Sequence, residues 1–314
     1  MAVTLAQAAL LSNNTLQAGV MKTFVQVSSV LDRIPFMEIQ GNAYAYNVEA
    51  TLPGVAFRSV NEAYVESTGT VNQRTESLVI LGGDADVDKF IAQTRGNLQD
   101  QRAVQTEMKV KAASYKFQDA FVNGDTVVDP KGFDGLKKRL TGGQVIAAGT
   151  NGIPVVGNGG TDTFAFFDQL DALAAAVPGG PDAFYANAAI RGRILSAGRR
   201  AGGAEMVTED LTGKRVAMWN GVPVLDIGAR ADGTLIIPQT ETQGTATNAS
   251  SIYAVKFGQG EGDQAVTGLT NGGVQVYDLG ELPDKPAYRT RLEFYTGLAV
   301  FGLGAARLTG VLAA

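Results

Sequence analysis

Apolar residues recur at steps of three or four between Thr15 and Leu31, where Leu16, Val20, Phe24, Val27 and Leu31 share one face. The spacing predicts a helix that Pro35 ends, preceded by a shorter helical piece through Leu5, Ala8, Ala9 and Leu10. Together they form an arm that packs on its own chain or reaches away from it. From Ala43 to Ala50 the period drops to two: Tyr44, Tyr46 and Val48 lie on one face, Asn47 and Glu49 on the other. Leu52-Pro53-Gly54 then turns the chain. Phe57, Tyr64 and Val65 stand among Arg58, Glu62 and Glu66, and a second strand is expected from Thr75 to Leu81, closed by Gly82-Gly83. Residues 38–83 read as one long β-hairpin with an elaborated tip. An isolated hairpin is marginal in water, so its aromatic face needs cover from the same chain or from another copy.

The next stretch, from about Asp84 to Val122, holds no proline, and Val87, Ile91, Leu98, Met108, Ala112 and Tyr115 fall near one stripe. One long helix is expected, a strut of roughly 55 Å at 1.5 Å per residue, with Gly96 marking a bend. Turn chemistry follows in Asn123-Gly124-Asp125 and in Asp129-Pro130-Lys131-Gly132-Phe133-Asp134-Gly135. After a glycine-rich loop, helices are expected over residues 164–176 and 181–200. Trp219-Asn220-Gly221-Val222 reads as a hairpin turn. The last third reads as strands, at residues 252–257, 274–279, 289–295 and 298–303. No internal repeat appears, which argues against solenoids and propellers.

Composition removes most catalytic chemistry. The chain has 314 residues, no Cys and no His, so disulfides, thiolate nucleophiles, Cys/His zinc sites and histidine bases are excluded. A hydrophobic fraction of 45% is enough for a sizeable core. The 39 glycines imply many turns and close backbone approaches, and scope for one chain to take slightly different shapes. A net charge of −5 argues against a dedicated nucleic-acid binder, though not against a shell that encloses nucleic acid. The first basic residue is Lys22, so the charged start of a signal peptide is missing. The apolar end, Tyr295 to Ala314, is broken by glycines and Arg307 and reads as buried strand and turn rather than a membrane span.

The motifs that suggest chemistry each have a plainer account. Asp84, Asp86 and Asp88 resemble the start of a calcium loop, but Lys89 and Arg95 stand where Gly and Glu are required. They read as a helix cap with acids in the first turn. Asn123, Asp125, Asp129 and Asp134 miss the same template at Val127 and read as turn formers. Gly157-Asn158-Gly159-Gly160 and Gly302-Leu303-Gly304 lack the ending of a phosphate loop. Carboxylate pairs for glycoside hydrolysis exist among 31 acids, yet a single Trp gives no sugar platform. No catalytic, cofactor or metal residue is assigned. Basic residues cluster at Lys137-Lys138-Arg139, from Arg191 to Arg200, and at Lys214-Arg215. Each reads as a solvated face, with contact to packaged nucleic acid as the functional alternative.

In order along the chain, these elements resemble the tailed-phage major capsid proteins of the Hong Kong 97 type. The resemblance rests on Ile34-Pro35-Phe36, Gly41-Asn42-Ala43-Tyr44, Leu52-Pro53-Gly54, Phe57-Arg58 and Asn61-Glu62. It continues through Gly124-Asp125, Gly132-Phe133-Asp134-Gly135-Leu136, Trp219-Asn220-Gly221-Val222-Pro223-Val224 and Arg307-Leu308. It implies an α+β fold with an N-terminal arm (1–37), an extended hairpin loop (38–83), a spine helix in a peripheral domain (84–134), an axial domain (135–250) and C-terminal strands, mainly peripheral (251–314). The implied function is a structural, non-enzymatic shell subunit without cofactors, forming pentamers and hexamers of an icosahedral head around double-stranded DNA. The virion is its expected location, after assembly in the host cytoplasm. Contacts between subunits are expected at Tyr44, Tyr46, Glu49, Pro53, Phe57, Arg58, Glu62, Tyr64 and Glu66 of the extended loop, and at Leu16, Val20 and Phe24 of the arm.

Some members of that family bond a loop Lys to an Asn of a neighbour. No Lys lies between Lys22 and Lys89 here, so non-covalent contacts or a cementing protein are expected instead. With only about 37 residues before the hairpin, a separate scaffolding protein is expected, along with a portal, an optional decoration protein and non-specific contact with packaged DNA; no membrane partner is. The alternatives are an encapsulin-like compartment shell and, more distantly, a carboxylate-dependent glycosidase.

Overall fold

The computed structural model describes residues 24, 28–95, 101–157, 160–201, 206–208 and 215–313. Leu16, Val20 and most of the arm lie outside them. The strands form two large sheets and one free-standing pair. The first sheet joins β1 (Phe36–Glu38), β4 (Val79–Asp88), β13 (Val266–Glu281) and β14 (Ala287–Val300) in the order β1-β13-β14-β4. One face of it carries α2 (Gln101–Asn123). The pair β2 (Ala43–Thr51) and β3 (Thr70–Ser77) stands apart as an antiparallel hairpin.

The expected long helix from residue 84 is not what forms. Residues 79–88 are a strand, and each pairs in register with β14, from Val79 opposite Thr296 to Asp88 opposite Ala287. The alternation of Asp84, Asp86 and Asp88 is a period-two pattern, and the partner strand explains it. Asp84 meets Arg291 at 2.8 Å and Asp86 meets Arg289 at 2.6 Å. Hydrogen bonds from Arg291 hold the Asp84 carboxyl below its usual range, and those from Arg289 and then Lys285 do the same for Asp86. Only Asp88 acts as a cap: its carboxylate accepts the Phe90 N–H at 2.8 Å, ahead of the short helix α1 (Lys89–Arg95).

Helix α2 spans 23 residues, about 35 Å. Its buried stripe is Val110, Ala113, Ser114, Phe117 and Phe121, whereas Met108 and Ala112 of the predicted stripe face solvent. That stripe meets the first sheet around Phe294. The Phe294 ring lies 5.6 Å from Phe24, 5.6 Å from Phe36 and 6.0 Å from Phe117, centroid to centroid. After the helix, Gly124 and Gly135 cross so closely that a Cβ on either would strike carbonyl oxygens of Phe133 or Ala120. The Gly-Phe-Asp-Gly motif owes its second glycine, Gly135, to this crossing. Asp125 and Asp134 grip Lys138 there at 2.6 and 3.0 Å, so the oxygen-rich turn is closed by a lysine.

The second sheet has nine strands. Its main path is β5 (Val145–Ala147), β15 (Ala305–Leu312), β12 (Ala246–Val255), β7 (Ala183–Ala186), β10 (Val222–Asp226), β9 (Arg215–Trp219) and β8 (Met206–Thr208). Two short strands, β6 (Ile153–Pro154) and β11 (Glu241–Gln243), attach to β15 and β12. Strand β7 corrects the helix expected from residue 181. Ala183 and Tyr185 point into the core shared with α2, while Phe184 and Ala186 point into a second core. A strand buried on both faces is an unbroken apolar run, which periodicity does not distinguish from a buried helix. The second core is covered by α4 (Gly160–Ala175) and α5 (Ala188–Ala201). Buried Asn187 caps α5, accepting the Ile190 N–H at 2.8 Å. At the predicted hairpin, Asn220 and Gly221 take φ of 48° and 78°, as the two-residue turn requires. Among the described residues no helix is long and apolar enough to cross a membrane, and no carboxylate cluster is suited to a metal ion.

Phe294→Ala is expected to lower the unfolding free energy by about 3–5 kcal/mol in urea titration, since it removes a fully enclosed ring.

Candidate functional site: the projecting hairpin

The hairpin β2–β3 is held at its base and free at its tip. Its base is covered by its own chain. Tyr46 is only 3% exposed, sits edge-on to Phe301 at 4.8 Å, and joins Ile39, Leu269 and Ala299 in a small core. Burial, and then the neighbouring Glu76 carboxylate, push its hydroxyl pKa up. Tyr44 stacks on Tyr46 at 6.2 Å and donates to Glu261 at 3.1 Å.

The deepest anchor is ionic. Arg139, from the short helix α3 (Leu136–Arg139), grips Glu76 of β3 with both guanidinium ends, at 2.6 Å for the Nη2 contact. The two side chains are 11% and 14% exposed. Tyr46 donates to the same carboxylate at 3.2 Å. A desolvated bidentate pair has one good geometry, so it sets the angle at which the hairpin leaves the body. Nothing in the sequence marks it, because the partners are 63 residues apart.

Beyond Thr51 the tip is ordered by local polar bonds. The Thr51 and Thr70 hydroxyls lie 2.6 Å apart, and Ser67 donates to the Gly54 carbonyl at 2.9 Å. Ser59 N–H donates to Glu62 at 2.9 Å, and Arg58 binds the Glu62 carbonyl at 3.3 Å while lying over the Tyr64 ring. The apolar side chains of the tip have no such partners. Phe57 is fully exposed, and Val55, Val60 and Val65 are each 90% exposed or more. Scattered exposed apolar residues are ordinary, but a contiguous set on a projection marks an interaction surface.

Of the residues expected to reach a neighbour, Pro53, Phe57, Arg58, Glu62, Tyr64 and Glu66 are brought together on this exposed tip. Glu49 sits in β2 opposite Val71. Tyr44 is half-buried. Two expectations are corrected. Tyr46 is enclosed by its own chain, and so is Phe24, 1% exposed against Phe294 with its carbonyl accepting from Ser114. Neither has surface left for another subunit. Val55, Val60 and Leu52 were missed, since the tip has no period to pick them out.

A family model described as Major capsid protein GP7 matches residues 12–166. That match and the shared fold support a tailed-phage major capsid protein of the Hong Kong 97 type. Solved structures share that fold over nearly the whole chain. The capsid of a native GTA particle is 19% identical with a TM-score of 0.63, covering 92% of this chain and 91% of its own. That of Mycobacterium phage Adephagia is 15% identical with a TM-score of 0.59, over 91% and 90%. The SrpI encapsulin of Synechococcus elongatus PCC 7942 is 18% identical with a TM-score of 0.65, over 90% and 87%. At these identities the structures speak for the fold, and the family match favours a phage capsid over the encapsulin. No curated protein matches. This capsid protein is a structural subunit of a virion shell, not an enzyme.

Two substitutions separate the base of the hairpin from its tip. Glu76→Gln is expected to cost about 3 kcal/mol in the subunit, because it strands a buried guanidinium. Phe57→Ala is expected to leave subunit stability within about 0.5 kcal/mol while slowing assembly followed by light scattering.

Proposed function

We propose that this capsid protein builds an icosahedral head around double-stranded DNA from pentamers and hexamers, each hairpin tip lying over the neighbouring subunit. The exposed apolar tip on a rigid base carries this reading. Covering a few hundred Å² of apolar surface at about 25 cal/mol per Å² contributes several kcal/mol per contact, less the cost of ordering the interface. A tip that meets a different patch on the next copy makes a head-to-tail contact, which closes into rings. In this reading the first sheet with α2 is the peripheral domain, and the second sheet with α4 and α5 is the axial domain. Strands β12 and β15 then serve the axial sheet, and only β13 and β14 of the C-terminal third are peripheral. Leu16 and Val20 of the arm extend the contact. A separate scaffolding protein, a portal and, in some shells, a decoration protein complete assembly in the host cytoplasm.

The absence of lysine from residues 23–88 supports a shell held by non-covalent contacts. Negative-stain microscopy of the chain with its scaffolding partner should show closed shells. Boiled particles should then run as one band near the 32.8 kDa of the monomer. A ladder of covalent oligomers would contradict the non-covalent shell, and a monomer that never assembles would contradict the capsid reading.

A further inference from the structure

Three basic clusters were candidates for contact with nucleic acid, and the structure separates them. In the cluster at residues 137–139, Lys138 is held by Asp125 and Asp134, and Arg139 by Glu76. Lys214 of the third lies outside the described residues. The remaining cluster is helix α5, which carries Arg191, Arg193, Arg199 and Arg200 and no acid in 14 residues. Elsewhere in the fold, Arg102, Arg139, Arg230, Arg289, Arg291 and Arg307 each face a carboxylate. The four of α5 form no ion pair among the described residues.

The helix is firmly seated. Ile190, Ile194 and Ala197 are buried in the second core, and Asn187 fixes its first turn. Arg193, Arg199 and Arg200 are exposed and Arg191 is half-buried. At 100° per residue the four arginines fan over the outward half of the helix, with Gly192 and Ser196 between them, so the backbone stands open to a close approach. Arg193 and Arg200 stand two turns apart on one side, about 10 Å along the axis. Four guanidinium groups on roughly 21 Å of rigid helix, on a chain of net charge −5, are a local concentration of positive charge.

We infer that the outer face of α5 is a contact site for the phosphate backbone of duplex DNA, an inference that rests on the capsid reading and assigns that contact to named residues. A duplex carries one charge per about 1.7 Å of axis and offers planar phosphate acceptors to paired guanidinium donors. The rival occupant, a second copy of this chain, is a poorer match. No described helix or strand carries as many as four acids; β4 and α4 carry three each, of which Asp84 and Asp86 are already paired with Arg291 and Arg289 and Asp171 accepts from Trp219 and Asn220. The contact is independent of base sequence, since nothing in it is shaped to read base edges.

The test measures binding of a fluorescent 20-base-pair duplex of mixed sequence to the full-length chain between 50 and 200 mM salt. Replacing Arg191, Arg193, Arg199 and Arg200 with Gln should weaken binding. It should also make the slope of log affinity against log salt shallower by about 0.9 for each arginine that touches a phosphate. The pair Arg193→Gln and Arg200→Gln serves if the fourfold variant does not fold, the pair Arg193→Lys and Arg200→Lys should keep the slope, and Lys137→Gln should leave it unchanged. An unaltered slope in the Gln variants overturns the inference. So does a variant that binds DNA like the wild type but no longer forms particles, which would make α5 a subunit contact. Microscopy of wild-type particles in parallel keeps the two readings apart: intact shells with an unaltered slope sink only the DNA contact.

Discussion

A two-stranded ribbon with no sheet behind it leaves half of its side chains in water. In this capsid protein that constraint is met for the first part of the ribbon and left unmet for the rest. Tyr46 and Val48 turn toward Phe301, Ile39 and Leu269, so the base is covered from within. From Leu52 to Gly69 every residue is exposed, and Val55, Phe57, Val60 and Val65 stand in solvent. Their burial is available only from another molecule. Every functional statement about the shell descends from this division between a satisfied base and an unsatisfied tip.

The division works because the two parts are mechanically coupled. The Arg139–Glu76 pair ties β3 to the turn region after α2. That region is itself pinned by Lys138 between Asp125 and Asp134 and by the Gly124–Gly135 crossing. Helix α2 carries the constraint into the aromatic core at Phe117 and Phe294. A projection anchored this way presents its tip in a defined direction, so less ordering entropy is lost when a partner covers it.

Much of this was legible in the chain, and the misses share a physical cause. The hairpin, the turn at Asn220-Gly221 and the turn chemistry of Gly-Phe-Asp-Gly are local signals, fixed by backbone geometry over a few residues. The strand character of residues 84–88 was hidden because acids that alternate along a strand also suit the first turn of a helix. Strand β7 was hidden because burial on both faces erases the period. The anchor at Glu76 and the separation of free from paired arginines depend on partners dozens of residues away, and only the folded chain brings them together. The tip was half legible: Phe57, Tyr64 and Val65 stood out among charged residues, while Val55 and Val60 carried no mark.

Hydrogen–deuterium exchange of peptides from residues 52–69, compared between free subunits and assembled particles, tests the central claim most directly. The base strands at residues 43–51 and 70–77 should be protected in both states, while the tip exchanges fast in the subunit and slows sharply in the particle. A tip already protected in the free subunit, or one that exchanges equally fast in both, would contradict the account.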